Sequence, residues 1–264
     1  MRSVLFKLVA AILLLQGATS AGERPENVVV HGSSSGRAKL IVAHAERVRS
    51  DAFEQLLGED APRPWLERCA IHVHATPDSF ANAVGVHPDH ARGATSLEFS
   101  GTRVVSRRID VMGDGAEVVP DALAHELVHV VLADHFVHTA PPRWADEGLA
   151  LLFDASDKQQ RHEADFRSAQ RNGQALSTAE LLAEEEYPDS PRRQRVFYGQ
   201  SAALVRWLIN RRDAATFIRF VDDMESSGVA PALKRHYDLD SVALLDSAWK
   251  EVPPIQTLTF VNQK

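Results

Sequence analysis

The sequence has a single cysteine, Cys69, which excludes an intrachain disulfide and any zinc knuckle built on thiolates. A metal site in this chain must therefore be assembled from His, Asp and Glu. Basic residues are also in deficit: 29 Lys and Arg face 36 Asp and Glu, for a formal net charge of −7, and no basic stripe runs along the chain. Nucleic acids and anionic membranes attract cationic surfaces, so neither is an expected partner. No apolar run approaches the roughly 20 residues of a membrane-crossing helix. Low-complexity tracts and internal repeats are absent as well.

The apolar run at residues 8–15 is short and has a specific context. It follows Arg2 and Lys7 and precedes Gly17, Ala18, Thr19, Ser20 and Ala21. A basic start, a short apolar stretch and small residues form the order of a cleavable export signal. Residues 1–21 are therefore expected to be a signal peptide. The mature protein is expected to be exported, periplasmic or secreted, with no stable membrane insertion after cleavage.

The remainder changes character near residue 118. Before it, residues 38–57 show a helical period closed by Gly58, and 69–75 alternate as a strand. Residues 78–84 suit a short helix capped by Thr76 or Asp78. Residues 96–99 and 103–112 read as two strands of a hairpin turning at Gly101, and Val28, Val29 and Val30 suit an edge strand. After Pro120 the pattern is helical: 121–135, 144–153, a helix opened by the capping-box spacing Ser177 to Glu180, then 198–211, 214–226, 230–237, and a last one capped by Asp240. The fold class expected is α+β. Residues 22–118 form an N-terminal mixed β-sheet with a packed helix, residues 119–252 a mostly helical part with the metal-binding helix, and residues 253–264 a tail.

The chemistry is concentrated in the second part. His125, Glu126, Leu127, Val128 and His129 stand on an apolar helix. Four residues turn a helix by about 400°, so the two imidazoles share one side at a separation that suits two ligands of one tetrahedral ion. Glu126 projects beside them and can take a proton from an activated water. Such a motif also arises by chance, and two histidines can be satisfied core residues. The following segment separates these readings. Trp144, Ala145, Asp146, Glu147, Gly148, Leu149 and Ala150 place an acid on a second apolar helix after the Pro141–Pro142 break. Catalytic zinc takes three protein ligands and keeps one position open, and Glu147 can be the third. Gly148 is expected to let the two helices approach, and Trp144 to wedge between them.

With these two motifs, the run from Phe197 to Ser201 and the stretch from Gly228 to Trp249, the sequence resembles the gluzincin metallopeptidases, and within them the peptidase MA-like group of exported proteins. The likeness spans residues 118–250. It implies zinc held by His125, His129 and Glu147, with Glu126 as general base. In thermolysin-like gluzincins an acid one turn after the third ligand orients a zinc histidine; that position here is Leu151. Asp121 and Asp146 are the alternatives, each equally a helix cap or surface acid. Tyr198 is the candidate stabiliser of an oxyanion, or a packing residue.

Other residues receive blander readings. Asp134, His135 and His138 read as loop or C-cap residues, and Glu184, Glu185 and Glu186 as a solvated helix end. His72 and His74 share a strand face that is either a second metal site or a half-exposed sheet surface. By analogy with gluzincins, residues 103–112 are the edge strand expected to pair an extended substrate. The expected function is zinc-dependent peptide hydrolysis with a peptide or protein as partner. The alternatives are a non-catalytic exported module binding peptide or envelope material, and hydrolysis of a non-peptide amide.

Overall fold

The computed structural model describes residues 26–60, 63–89, 91–113 and 117–250, and the side chains of these except Lys250. The expected signal peptide and the tail at 253–264 lie outside the described residues. The chain opens with strand β1 (Val28–His31), helix α1 (Ser35–Leu57), strand β2 (Cys69–His74) and helix α2 (Pro77–Val84). Strands β3 (Gly93–Ser100) and β4 (Arg103–Met112) follow as a hairpin. Eight helices complete it: α3 (Leu123–His135), α4 (Arg143–Leu151), α5 (Ser156–Arg171), α6 (Thr178–Ala183), α7 (Pro191–Arg211), α8 (Ala214–Ser227), α9 (Val229–Tyr237) and α10 (Val242–Lys250). The protein is α+β, with a small mixed sheet and a mostly helical remainder.

The sheet has the order β1-β2-β4-β3, with the first two pairings parallel and the hairpin antiparallel. A parallel return from β1 to β2 needs a crossover, and α1 supplies it. Ser34 caps the start of α1 and Gly58, at φ 70°, closes it in the left-handed region that a Cβ disfavours. Its buried residues Ile41, Ala45, Val48, Ala52, Phe53 and Leu56 recur at helical spacing. One sheet face is apolar, with Ile71 opposite Ile109 and Val73 opposite Val111. A single buried cluster runs from Val28 on the sheet to Trp249 in the last helix, so both parts share one core.

Four features differ from expectation. Strand β4 is not an edge: β2 and β3 flank it, and the edges are β1 and β3. Strand order is set by contacts distant in sequence, which a local pattern does not carry. Helix α5 is not signalled by the sequence pattern, because it buries little besides Gln159, Phe166 and Ala169 and presents no apolar stripe. The start of α10 is capped by the Ser241 hydroxyl, which accepts from Leu244 N–H at 3.2 Å, one residue past the expected Asp240. In addition, α7 begins at Pro191, capped by Ser190, well before residue 198. The capping box of α6 is formed by Ser177 and Glu180, as its spacing predicts.

Candidate metal centre

Helix α3 is apolar around most of its circumference, so it is buried against β3, β4, α1 and α4. That burial fixes the direction of His125, Glu126 and His129. Helix α4 starts after Pro142 and buries Trp144, Ala145 and every residue from Glu147 to Leu151. Trp144 is wholly buried and packs edge-on to Phe217 of α8, with ring centroids 5.9 Å apart. Gly148 serves a different contact as well. A Cβ there would stand 2.4 Å from Val205 Cγ2 and 2.8 Å from the Ser201 carbonyl oxygen, so the glycine admits α7 against α4. Gly199 does the same between α7 and α5, where a Cβ would meet the His162 carbonyl oxygen at 2.2 Å.

These packings bring three side chains to one point. His125 Nε2 lies 3.2 Å from Glu147 Oε2, and His129 Nε2 lies 3.9 Å from the same oxygen. All three donor atoms lie within 4.8 Å of one another, and the group could hold a metal ion. Donors on one tetrahedral zinc, at bonds of roughly 2.1 Å, stand about 3.4 Å apart, so the spacing fits. The outer ring atoms fit too. His129 Nδ1 lies 3.0 Å from Asp146 Oδ1, and His125 Nδ1 lies 3.4 Å from Asp154 Oδ2. A carboxylate facing Nδ1 favours the proton there and leaves the Nε2 lone pair pointing inward, the tautomer a ligand needs. The second oxygen of Glu147, Oε1, accepts a hydrogen bond from the Tyr187 hydroxyl.

The electrostatics show the same preference for a cation. Burial pushes both imidazoles toward neutrality, yet their pKa values are raised: Asp154 and then Glu147 outweigh burial at His125, and Asp146 and Glu147 outweigh it at His129. Burial likewise pushes the Glu147 carboxyl up, but the two imidazoles and Tyr187 hold it well below the usual range. Three carboxylates thus surround two imidazoles, a setting in which a divalent ion can take the place of protons.

Glu126 is held separately. Its Oε2 accepts from Thr95 Oγ1 at 2.7 Å, and the same hydroxyl stands 3.1 Å from the Glu126 carbonyl oxygen. Gly93 makes this approach of β3 possible, since a Cβ there would come 2.6 Å from Glu126 Oε1. Tyr198 is half-buried on the cleft wall, its ring 6.0 Å from that of Tyr187 and 5.8 Å from that of His162. Burial and then the Glu147 charge raise the pKa of both phenols, which keeps them as O–H donors.

Other sequence candidates are placed elsewhere. Asp121 pairs with Arg92 at 3.6 Å, while Asp154 and Asp146 are the acids that face His125 and His129. Asp134 accepts from Trp65 Nε1 and Arg107, and His135 lies 3.0 Å from Asp222. His138 lines the cleft. His72 stacks on His31, with centroids 4.8 Å apart, while His74 sits between Asp110 at 2.7 Å and Ser79 at 2.8 Å. Among the described residues, His125, His129 and Glu147 are the one group of three or more arranged to share an ion.

The residues that sequence reasoning missed are Thr95, Asp154, Tyr187 and His162. Asp154 was findable: it is a buried acid two helical turns after Glu147, where one turn gives Leu151. Thr95, Tyr187 and His162 reach the site only through tertiary packing and carry no spacing signal. The cleft they line has a volume of about 1470 Å³. Leu97 and Phe99 of the edge strand form part of one wall, and His162, Arg195 and Tyr198 part of the other. In comparisons with known proteins, no protein-family model, no curated protein and no solved structure matches the chain.

Proposed function

We propose that this protein is an exported zinc-dependent peptidase of gluzincin type. The observation that carries the reading is the convergence of His125 Nε2, His129 Nε2 and Glu147 Oε2 beside Glu126 in an open cleft. His125, His129 and Glu147 would hold the ion. A donor set of two nitrogens and one carboxylate oxygen, with no thiolate, is that of catalytic zinc. Zinc, when bound, supplies Lewis acidity that polarises a carbonyl and acidifies water.

The protein's own groups do the rest. With Oε2 held by Thr95, the Glu126 carboxylate is oriented to take a proton from water and pass it to a leaving amine. Tyr198, and Tyr187 beside it, present phenolic O–H groups that can donate to developing negative charge. Asp154 and Asp146 keep the imidazoles in one tautomer. A cleft of about 1470 Å³ exceeds the usual 300–1,000 Å³ of small-ligand pockets and suits several residues of an extended chain. Edge strand β3 lines it, so β3, rather than β4, is the strand available to pair a substrate backbone. Val86, Phe99 and Tyr187, all large apolar side chains left exposed, also line it and favour apolar substrate residues.

No described helix is long and apolar enough to cross a membrane, and the assignment outside the cytoplasm rests on residues 1–21 alone. The test is peptide-library profiling of zinc-loaded protein with Glu126→Gln as control. Chelator-sensitive cleavage that Glu126→Gln abolishes, while its zinc content is unchanged, is the expected result. Zinc binding without cleavage of any peptide would overturn the peptidase reading and favour a binding module or a non-peptide amide substrate.

A further inference from the structure

Gln159 is a buried polar side chain outside the site just described, only 4 % exposed, and its side-chain hydrogen bonds run to the turn after α4 and to α7. It stands near the start of α5. The turn from Leu152 to Ala155 links it to α4, the helix that carries Glu147. Both amide hydrogens of Gln159 go to this turn: Nε2 donates to the Leu152 carbonyl at 3.0 Å and to the Asp154 carbonyl at 2.8 Å. Its Oε1 accepts from Arg206 Nη2 of α7 at 3.2 Å. The partners determine which way the amide faces, because carbonyls only accept and a guanidinium only donates. Arg206 is itself 6 % exposed.

Asp154 is wholly buried within this turn. Its Oδ2 lies 3.4 Å from His125 Nδ1 and its Oδ1 accepts from Lys158 Nζ at 3.0 Å. A carboxylate can set the tautomer and angle of an imidazole only if its own backbone is fixed. Asp154 belongs to a short turn between helices, and Gln159 holds two carbonyls of that turn from within the core. We propose that Gln159, oriented by Arg206, is a positioning residue for the metal site and acts through Asp154 on His125. The inference rests on the metal-site reading above and deepens it.

The experiment measures zinc affinity, by competition with a chromogenic chelator, and the absorption spectrum of the cobalt-substituted protein. It compares wild type, Gln159→Leu, Asp154→Asn and the double variant. Partners that orient metal-bound histidines are each worth about 10–100-fold in metal affinity. Gln159→Leu should weaken zinc by that factor and alter the cobalt bands, and in the Asp154→Asn background it should cost nothing further. Such non-additivity is the mark of two residues acting in series. Arg206→Met keeps the bulk of the side chain but frees the Gln159 amide to turn. It should weaken zinc in the same direction, and it decides the matter if Gln159→Leu does not fold. Wild-type zinc affinity in Gln159→Leu or in Arg206→Met, or losses that multiply in the double variant, would overturn the inference alone. Failure of wild type to bind zinc would instead overturn the metal-site reading and the inference with it.

Discussion

Gly93→Ala should disable the proposed base while leaving the proposed metal ligands intact. Gly93 has no left-handed backbone requirement, so only space opposes a methyl group there. That space is taken: the Cβ would stand 2.6 Å from Glu126 Oε1, 2.8 Å from Glu126 Cγ and 2.9 Å from Ala122 Cβ. Carbon atoms pack best at about 3.5–4.0 Å, so either Glu126 or the strand must give way by roughly 1 Å. Overpacking of this kind costs about 1–3 kcal/mol of stability. Displacing Glu126 also breaks its 2.7 Å bond from Thr95. A misplacement of about 1 Å can cost about 10²-fold in rate, and general base catalysis contributes about 10²–10⁴-fold in total. The expected result is a fall of about 100-fold in kcat/KM for peptide cleavage, with zinc content by elemental analysis unchanged. Gly113→Ala is the control, because its Cβ would meet Val73 Cγ1 at 2.3 Å and lies against Arg37 instead of Glu126. It should lose stability without the specific loss of rate. A Gly93→Ala protein that retains zinc and cleaves at the wild-type rate would refute this placement of Glu126 in the reaction.

Four further outcomes follow from the same geometry. Tyr187→Phe removes the donor to Glu147 Oε1, and chelator competition should show zinc bound about tenfold more weakly; unchanged affinity would mean that this hydroxyl does not support the ligand. Stripping the metal should lower the unfolding midpoint in calorimetry, since a ligand at 100 times its Kd stabilises the fold by about 2.7 kcal/mol; identical midpoints with and without a chelator would count against a site in the folded protein. Ser177→Ala breaks the capping box of α6 and should cost about 1 kcal/mol in urea unfolding. Burial pushes the Asp110 carboxyl up, but Arg108 and His74 outweigh burial and hold it below the usual range. The unfolded chain therefore takes up this proton more readily. The contribution of Asp110 is present above the ordinary carboxylate range and is lost as pH falls through its depressed folded value. Asp110→Asn should accordingly flatten the acid limb of the stability–pH curve, and an unchanged limb would show that the group contributes nothing there.

The parts of the fold legible in the sequence are those whose cause is local. Cys69 to His74 alternates because one face of β2 is buried, Gly58 ends α1 because its φ is 70°, and Ser177 with Glu180 forms a cap within four residues. The pairing of His125 with His129 is local in the same sense, being one turn of helix. What escaped is set by contacts between distant segments. The register of β3 against β4 was implied by the hairpin, but the insertion of β4 beside β2 was not. Helix α5 escaped because its inward side chains include the buried Gln159 and the half-buried His162, which read as surface residues until their partners are placed. Gly148 marks a close approach in the sequence without naming what approaches, and in the structure α7 comes nearest to it.

The supports of the site divide along the architecture. Glu126 is positioned from the sheet, by Thr95 and Gly93 of β3. The proposed metal donors are positioned from the helices: His129 by Asp146 of α4, His125 by Asp154 in the turn before α5, and Glu147 by Tyr187 in the segment before α7. Helix α3 belongs to both sets, carrying the proposed base, Glu126, between the two histidines. Substitutions in β3 should therefore reduce turnover at constant metal content, whereas those in α4, the turn after it and Tyr187 should act first on metal affinity. A substituted chain that reversed this order, with β3 changes releasing zinc and Asp154 changes sparing it, would require the base and the metal to share one support, which the hydrogen bonds from Thr95 and Tyr187 do not provide.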